Sequence, residues 1–328
     1  MKFIAPLILT TLLILVAYFG TAVLHLEFLF GVVIPYAAFA LFLGGFVYRI
    51  VSWARSPVPY RIPTTSGQGK SLAWIKYDRF ESPFTLSDVL GRMALEILLF
   101  RSLFRNTAAQ MQPGPKLKYF SAKWLWLGAL VFHWAMLIIV LRHYRFFLEP
   151  APFFVGWIDT LDGLMEITLP TFYLTDLLLL IALIYLLFRR FVVAPMRYLS
   201  LAQDYFPLYL ILAIAGSGIL MRYGFKTDLM GVKALVQSLL HFQAATPSGI
   251  SALFYVHLFL VCVLTAYFPY SKLMHMGGVF FSPTRNQANN SRAVRHKNPV
   301  NPEIKKGSYK DYETQFKDKL TQSGIPLD

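Results

Sequence analysis

The stretch from Ser248 to His275, SGISALFYVHLFLVCVLTAYFPYSKLMH, is a mostly apolar run long enough to cross a bilayer as a helix. It carries His257 inside the run and His275 at its far end. An imidazole inside a membrane span is costly, so it marks function unless a neighbour satisfies it. A second long apolar run, Trp124 to Tyr144, also carries two, His133 and His143. Four of the seven histidines thus lie in two spans, and any fold has to accommodate them.

The rest of the chain has the same character. Of 328 residues, 56% are hydrophobic and only 15% charged, and the apolar residues come in long blocks. This predicts an all-α integral membrane protein with six transmembrane helices. The expected spans are Phe3–Leu24, Phe28–Val51, Trp124–Tyr144, Leu169–Phe188, Phe206–Leu220 and the Ser248–His275 stretch. The first is not read as a signal peptide, because no small-x-small cleavage site follows and a second span begins almost at once. The lone Cys262 excludes a cysteine-ligated iron–sulfur cluster, a zinc-thiolate site or an internal disulfide, and reads as a packing residue.

Four regions follow: a transmembrane hairpin over 1–54, a basic loop over 55–121, a four-helix bundle over 122–276, and a polar tail over 277–328. Ser56–Lys70, SPVPYRIPTTSGQGK, is extended. Thr85–Phe104 has a helical pattern with Ser87 or Asp88 as N-cap. Its Leu90, Met93, Ile97, Leu98 and Phe104 alternate with Arg92, Arg101 and Arg105, which suits a helix lying on the membrane surface or on a partner subunit. Gly277 and Gly278 are expected to end the last helix.

Basic residues near the span ends set the orientation. The Arg55–Lys118 loop, Arg189, Arg190 and Arg197, and the tail with its nine Lys/Arg fall on one side. The His25 turn, the Glu149–Glu166 loop with four acids, and the Lys226–Ser248 loop fall on the other. Both termini are therefore expected on the cytoplasmic side of the inner membrane. The formal charge of +14 is then a topology signal and gives no reason to invoke nucleic acid. Arg142, Arg145, Arg222 and Lys226 are exceptions, clustered at the outer ends of spans three and five.

The antiparallel third and sixth spans stack the histidines as two pairs, His143 with His257 toward the outside and His133 with His275 toward the cytoplasm. Ten residues are about 15 Å of helix rise and eighteen about 27 Å, so the pairs differ in depth, and a break at Pro269 would absorb the mismatch. Facing histidines, twice, suit two haems b with both axial positions filled by imidazole, which leaves no open position for oxygen and makes the chemistry electron transfer. Gly216 and Gly218 in the fifth span would let a porphyrin approach the backbone, or serve ordinary close helix packing. A His/Asp proton-relay transporter and a purely structural membrane anchor are the competing readings.

The ten-residue His133/His143 and eighteen-residue His257/His275 spacings resemble those of the gamma (cytochrome b) subunit of respiratory nitrate reductase, a five-helix dihaem quinol-oxidising subunit. The extra N-terminal span, the long basic loop and the segment HMGGVFFSPTRN, His275 to Asn286, are more similar to the DsrM (HmeC-like) membrane cytochromes b of the DsrMKJOP/Hme complexes of sulfite metabolism. The resemblance implies menaquinol oxidation and transfer of electrons to a cytoplasmic, heterodisulfide-reductase-like iron–sulfur partner of the DsrK type; the reverse, quinone-reducing direction uses the same wire. It places the quinol site beside the outer haem. Arg142, Arg145, Arg222 and Lys226 would there bind haem propionates or a quinone carbonyl, or simply snorkel to the interface. Asp176 would take a quinol proton or pair with an arginine, and His241 in the outer loop would be a second proton acceptor or simply an exposed loop histidine.

Overall fold

In a computed structural model, residues 2–56, 67–114, 116–163, 171–282, 285–291, 293–294 and 307–327 are described. Most of the extended Ser56–Lys70 stretch, Glu166, the start of the expected fourth span and much of the basic tail lie outside these residues. The described chain is mostly helical, and five helices are long and apolar enough to cross a membrane. They are α1 (Ile4–Ala22), α2 (Leu29–Ala54), α5 (Lys123–Phe147), α9 (Ala202–Gly224) and α11, which with the turn that follows it covers Ala252–Tyr270. The described part of the expected fourth span forms α7 (Leu174–Val192), which carries Asp176, Arg189 and Arg190 at its ends and is not among these five; the short α8 (Ala194–Leu199) follows it.

Helix α9 is the shared wall of the bundle. Its Leu210 joins one apolar cluster with Ala17, Phe30, Leu235, Tyr255 and Leu260, drawn from α1, α2, α10 (Leu229–Leu240) and α11. The next residue, Ile211, joins a second cluster with Ala135, Leu179 and Leu183 of α5 and α7. The N-terminal pair α1–α2 packs on α11, and α5 packs on α7 and α10. The two histidine-bearing helices, α5 and α11, are not among the closely packed pairs. They carry His133, His143 and His257, and His275 follows the turns after α11.

The all-α expectation misses one element. Thr107–Gln112 and Lys116–Ser121 pair antiparallel as a two-stranded hairpin, β1–β2, just before α5. The end of the sixth span also differs. The helix breaks at Phe268–Tyr270, as Pro269 requires, because proline cannot continue the hydrogen-bond ladder. That segment is a 3-10 turn, a second (Lys272–Met274) follows, and α12 (His275–Phe281) then runs straight through Gly277 and Gly278. These glycines end nothing. They let Trp53 of α2 lie against the backbone, where a Cβ on Gly278 would come 3.5 Å from its ring.

The basic loop is more ordered than its composition suggests. Its helix α3 (Leu86–Leu99) is capped by Thr85, not by Ser87 or Asp88: Thr85 accepts from the Asp88 amide, and Asp88, at the third helical position, accepts from the Thr85 amide. Asp88, Arg92 and Glu96 are buried at four-residue spacing, whereas Leu86 and Leu90 are 72% and 61% exposed. The stripe expected to meet water thus faces the chain's own Tyr77–Phe84 segment, and of the apolar residues Leu90, Ile97 and Leu98 face outward while Met93 is buried. The helix stops at Phe100, which takes a left-handed conformation (φ 49°, ψ 47°), and α4 (Arg101–Arg105) leaves in a new direction. A bulky residue in that region costs roughly 1–2 kcal/mol, so its surroundings must hold it there. The tail closes over the loop: the Asn289 amide donates to Pro83 O, and Asn290 Nδ2 to Phe84 O.

Burial works to raise the Asp88 carboxyl, but hydrogen bonds from Arg79, Thr85 and Tyr77 outweigh it and hold the group well below the usual carboxylate range. A depressed folded-state pKa stabilises at every pH above the unfolded value of about 3.9, and the contribution is lost as pH falls through the folded value. Asp88→Asn should therefore cost about 0.5–2 kcal/mol at neutral pH. The check is amide exchange across Leu86–Val89 in detergent, where protection should fall about 2- to 30-fold. Unchanged protection at pH 7 would contradict the role given to this cap.

Candidate cofactor site

Helix α5 presents His133 and His143 ten residues apart, and each ring is fixed the same way. Its Nδ1–H donates to the carbonyl one turn back along the helix, His133 to Ala129 O and His143 to Ile139 O, both at 2.7 Å. His275 donates to Lys272 O at 2.8 Å, in the 3-10 turn that follows the Pro269 break. His257 uses a side chain instead. Ser217 of α9 gives its own hydroxyl proton to Ile214 O, so its oxygen accepts from His257 Nδ1 at 2.9 Å. All four rings are thereby set in one tautomer, with Nε2 left as the basic nitrogen. Metal-bound histidines are held in this way, with the second nitrogen donating to a fixed acceptor.

The structure brings the rings together in two pairs. His133 and His275 have centroids 6.0 Å apart, and His143 and His257 are 6.5 Å apart. An imidazole nitrogen bonds a first-row metal at about 2.0–2.1 Å, and its ring centre lies roughly 1.1 Å further on, so two imidazoles trans on one metal have centres about 6.3 Å apart. Both pairs match that spacing. Among the described residues no three or more His, Cys, Asp or Glu side chains gather around one point, so a bare metal ion has no cage here. Two imidazoles alone suit a metal whose other positions are filled by a macrocycle. The glycines of α9 fit as well. A Cβ on Gly218 would lie 3.3 Å from His257 Cε1, so the ring packs closely over the glycine and a side chain there would press on it. A Cβ on Gly216 would meet no atom within 4 Å.

Beside the His143–His257 pair lies an ionic cluster centred on Arg142. This arginine is buried, with Nη2 2.6 Å from Asp176 Oδ1 and Nη1 3.1 Å from Asp162 Oδ2, the second contact poorly aligned for a hydrogen bond. Its guanidinium lies 3.7 Å from the centre of the Tyr173 ring, and Arg222 covers that ring at 4.0 Å. The Tyr173 hydroxyl donates to Asp159, which also accepts both hydrogen bonds of Arg145 Nη2. Tyr223 donates to Asp176 from the π-helical end of α9, and such local widening is frequent at functional sites.

Three of the four basic residues singled out in the sequence, Arg142, Arg145 and Arg222, thus gather with Asp176. Lys226 does not: it is exposed and makes no hydrogen bond or ion pair among the described residues. His241 is exposed at the C-terminus of α10, donating from Nδ1 to Gln237 O, outside the cluster. Asp176 engages Arg142 and Tyr223 with its two oxygens. Sequence reasoning missed Asp159, Asp162, Tyr173 and Tyr223. The signal for the two aspartates was present in FFVGWIDTLD: Asp159 and Asp162 are three apart, while Phe153, Trp157 and Leu161 recur every four, the pattern of an interfacial helix with one acidic face. That helix is α6 (Phe153–Asp162), its three apolar residues 68–75% exposed.

Arg142→Met would leave Asp162 and Asp176 buried without their cation, which costs about 3–5 kcal/mol for a pair of this kind. Asp176→Asn in the same chain should return part of that loss, because one stranded charge is removed. Denaturation of the solubilised protein is the measurement; a single substitution within about 0.5 kcal/mol of the parent would show that the cluster does not stabilise the fold.

The chain is similar over most of its length to known proteins. The chain is 47% identical over 281 residues to the "Hdr-like menaquinol oxidoreductase cytochrome b-like subunit" of Archaeoglobus fulgidus, covering 84% of each chain. It is 41% identical over 276 residues to the protein of the same description from Archaeoglobus profundus, covering 82% of each. Residues 89–296, which contain all four paired histidines and the Arg142 cluster, match the family described as nitrate reductase gamma subunit. The chain belongs to the nitrate reductase gamma subunit family.

Proposed function

We propose that this chain is a multi-pass membrane cytochrome b of a menaquinol oxidoreductase complex, holding two haems b and passing electrons from menaquinol, near the outer face, to a cytoplasmic iron–sulfur partner. The observation that carries the reading is the pair of imidazole pairs, each at the separation of trans ligands and each with Nδ1 fixed. His143 and His257 would hold the outer haem, and His133 and His275 the inner one. Bound there, haem supplies reversible one-electron transfer. Ser217 and the backbone carbonyls orient the ligands.

Helix α7 serves in this reading as the sixth span, with Asp176 at its outer end neutralised by Arg142 and with Arg189 and Arg190 at the cytoplasmic interface. Both termini are then cytoplasmic. Arg142, with one buried N–H poorly satisfied by Asp162, is the donor best placed to hold a haem propionate or a quinone carbonyl beside the outer pair. Arg145 and Arg222 brace it through Asp159 and Tyr173. His241, exposed with Nε2 free, takes up the quinol protons on the outer side, and Asp176 fixes Arg142 in place. The absence of further cysteines requires the next redox centres to lie on another subunit. The DsrK-type partner and the sulfite-linked DsrMKJOP assembly are the specific form of this proposal, supported by the heterodisulfide-reductase-like description of the relatives.

A haemochrome assay on the purified protein should give two haems b per chain; one or none would refute the dihaem reading. Titration with a non-reducing quinone analogue should shift the spectrum of the haem that His143→Ala perturbs. An analogue that shifted only the other haem would move the quinol site to the cytoplasmic side.

A further inference from the structure

The two imidazole pairs differ in one respect that their distances do not express. The rings of His143 and His257 are nearly parallel, 10° apart, whereas those of His133 and His275 are nearly perpendicular, at 83°. His133 also meets two aromatic rings. The Phe100 ring stands edge-to-face on His133, centroids 4.9 Å apart at 78°, and Phe132 flanks the same imidazole at 5.0 Å and 84°. Phe132 is the preceding residue on α5, but Phe100 arrives from the basic loop.

Every neighbour of Phe100 in the chain is tied down. The carbonyls of Leu98 and Leu99, left without helical partners by the turn at Phe100, accept from Trp134 Nε1 at 3.1 Å and Trp126 Nε1 at 2.7 Å. Trp134 follows His133 directly, so the end of α3 is hydrogen-bonded to the helix at the depth of the ligand itself. On the other side of the turn, Arg101 and Arg105 both pair with the buried Glu81, and the Ser102 amide donates to Glu96 Oε2 at 3.2 Å. The Asn289 contact with Pro83 extends the clasp to the tail beyond His275. Loop, tail and both inner ligands therefore form one connected structure.

We propose that Phe100 is a positioning residue for His133: held left-handed at the α3–α4 corner, it fixes the imidazole perpendicular to His275 and so couples the inner haem to the cytoplasmic loop. The inference rests on the dihaem reading above. In a low-spin ferric haem, parallel axial imidazoles split the two iron orbitals that can hold the unpaired electron, and perpendicular ones leave them nearly equal in energy. The inner haem should then give a strongly anisotropic resonance with a large maximal g value, and the outer an ordinary rhombic one. A partner that moved the loop would alter the inner haem through this contact.

Electron paramagnetic resonance of the oxidised holoprotein tests it, together with a redox titration. Phe100→Ala should move the inner signal toward the rhombic form and shift the inner midpoint, leaving the outer signal unchanged; Phe100→Tyr, which keeps the aromatic edge, should restore both. Should the alanine variant lose the inner haem, Phe100→Leu fills the space without an aromatic edge and should give the same spectral shift with two haems bound. Two bound haems with an unaltered inner signal in Phe100→Leu or Phe100→Ala would overturn the proposal. Intact protein without haem would overturn the dihaem reading itself.

Discussion

The hydrogen bond that runs from an imidazole Nδ1 to a carbonyl one turn back on its own helix is the contact on which the remaining arrangement depends. His133 and His143 make it, and His275 and His257 make its equivalents to Lys272 O and to Ser217. A neutral histidine in hydrocarbon leaves one donor and one acceptor to satisfy. The donor is met inside the helix or by its neighbour, and the acceptor nitrogens are thereby aimed across the gap between α5 and α11. Helices α5 and α11 do not interlock closely: α5 leans on α7 and α10, and α11 on α1, α2 and α9.

From this follow the two devices at the ends of the bundle. At the outer end, Arg142 enters a buried environment only because Asp162 and Asp176 meet it and Tyr173 covers its face. A single buried charge there would cost several kcal/mol, whereas the network is close to neutral: Arg142, Arg145 and Arg222 face Asp159, Asp162 and Asp176. At the inner end the same logic serves the loop, where Glu81 meets Arg101 and Arg105 and allows Phe100 to reach His133. Charge pairing at each end holds an aromatic or cationic group beside a histidine pair.

Much of this was readable from residue order alone. Apolar run length located the long helices, and the spacing of His133, His143, His257 and His275 was enough to pair them, because antiparallel spans convert sequence separation directly into depth. The break at Pro269 was readable for a covalent reason. What escaped was decided by long-range packing. The polar face of α3 turns inward because Glu81 and Tyr77, outside the helix, supply partners that no periodicity reveals. Gly277 and Gly278 looked like a helix terminus, but Trp53, more than two hundred residues earlier, uses them as a contact surface. The hairpin β1–β2 was hidden in a basic stretch without strong alternation, and Lys226 was placed in the cluster on sequence proximity to Arg222 that three-dimensional structure does not honour.

The pairing of the four histidines is the claim from which the depth, direction and partner assignments all descend. Potentiometric titration of the haem absorbance in the four single alanine variants measures it directly. The account predicts that His143→Ala and His257→Ala remove or shift one and the same component, and that His133→Ala and His275→Ala remove or shift the other. If His143→Ala and His275→Ala acted on a common component, the relative orientation of α5 and α11 described here would be wrong.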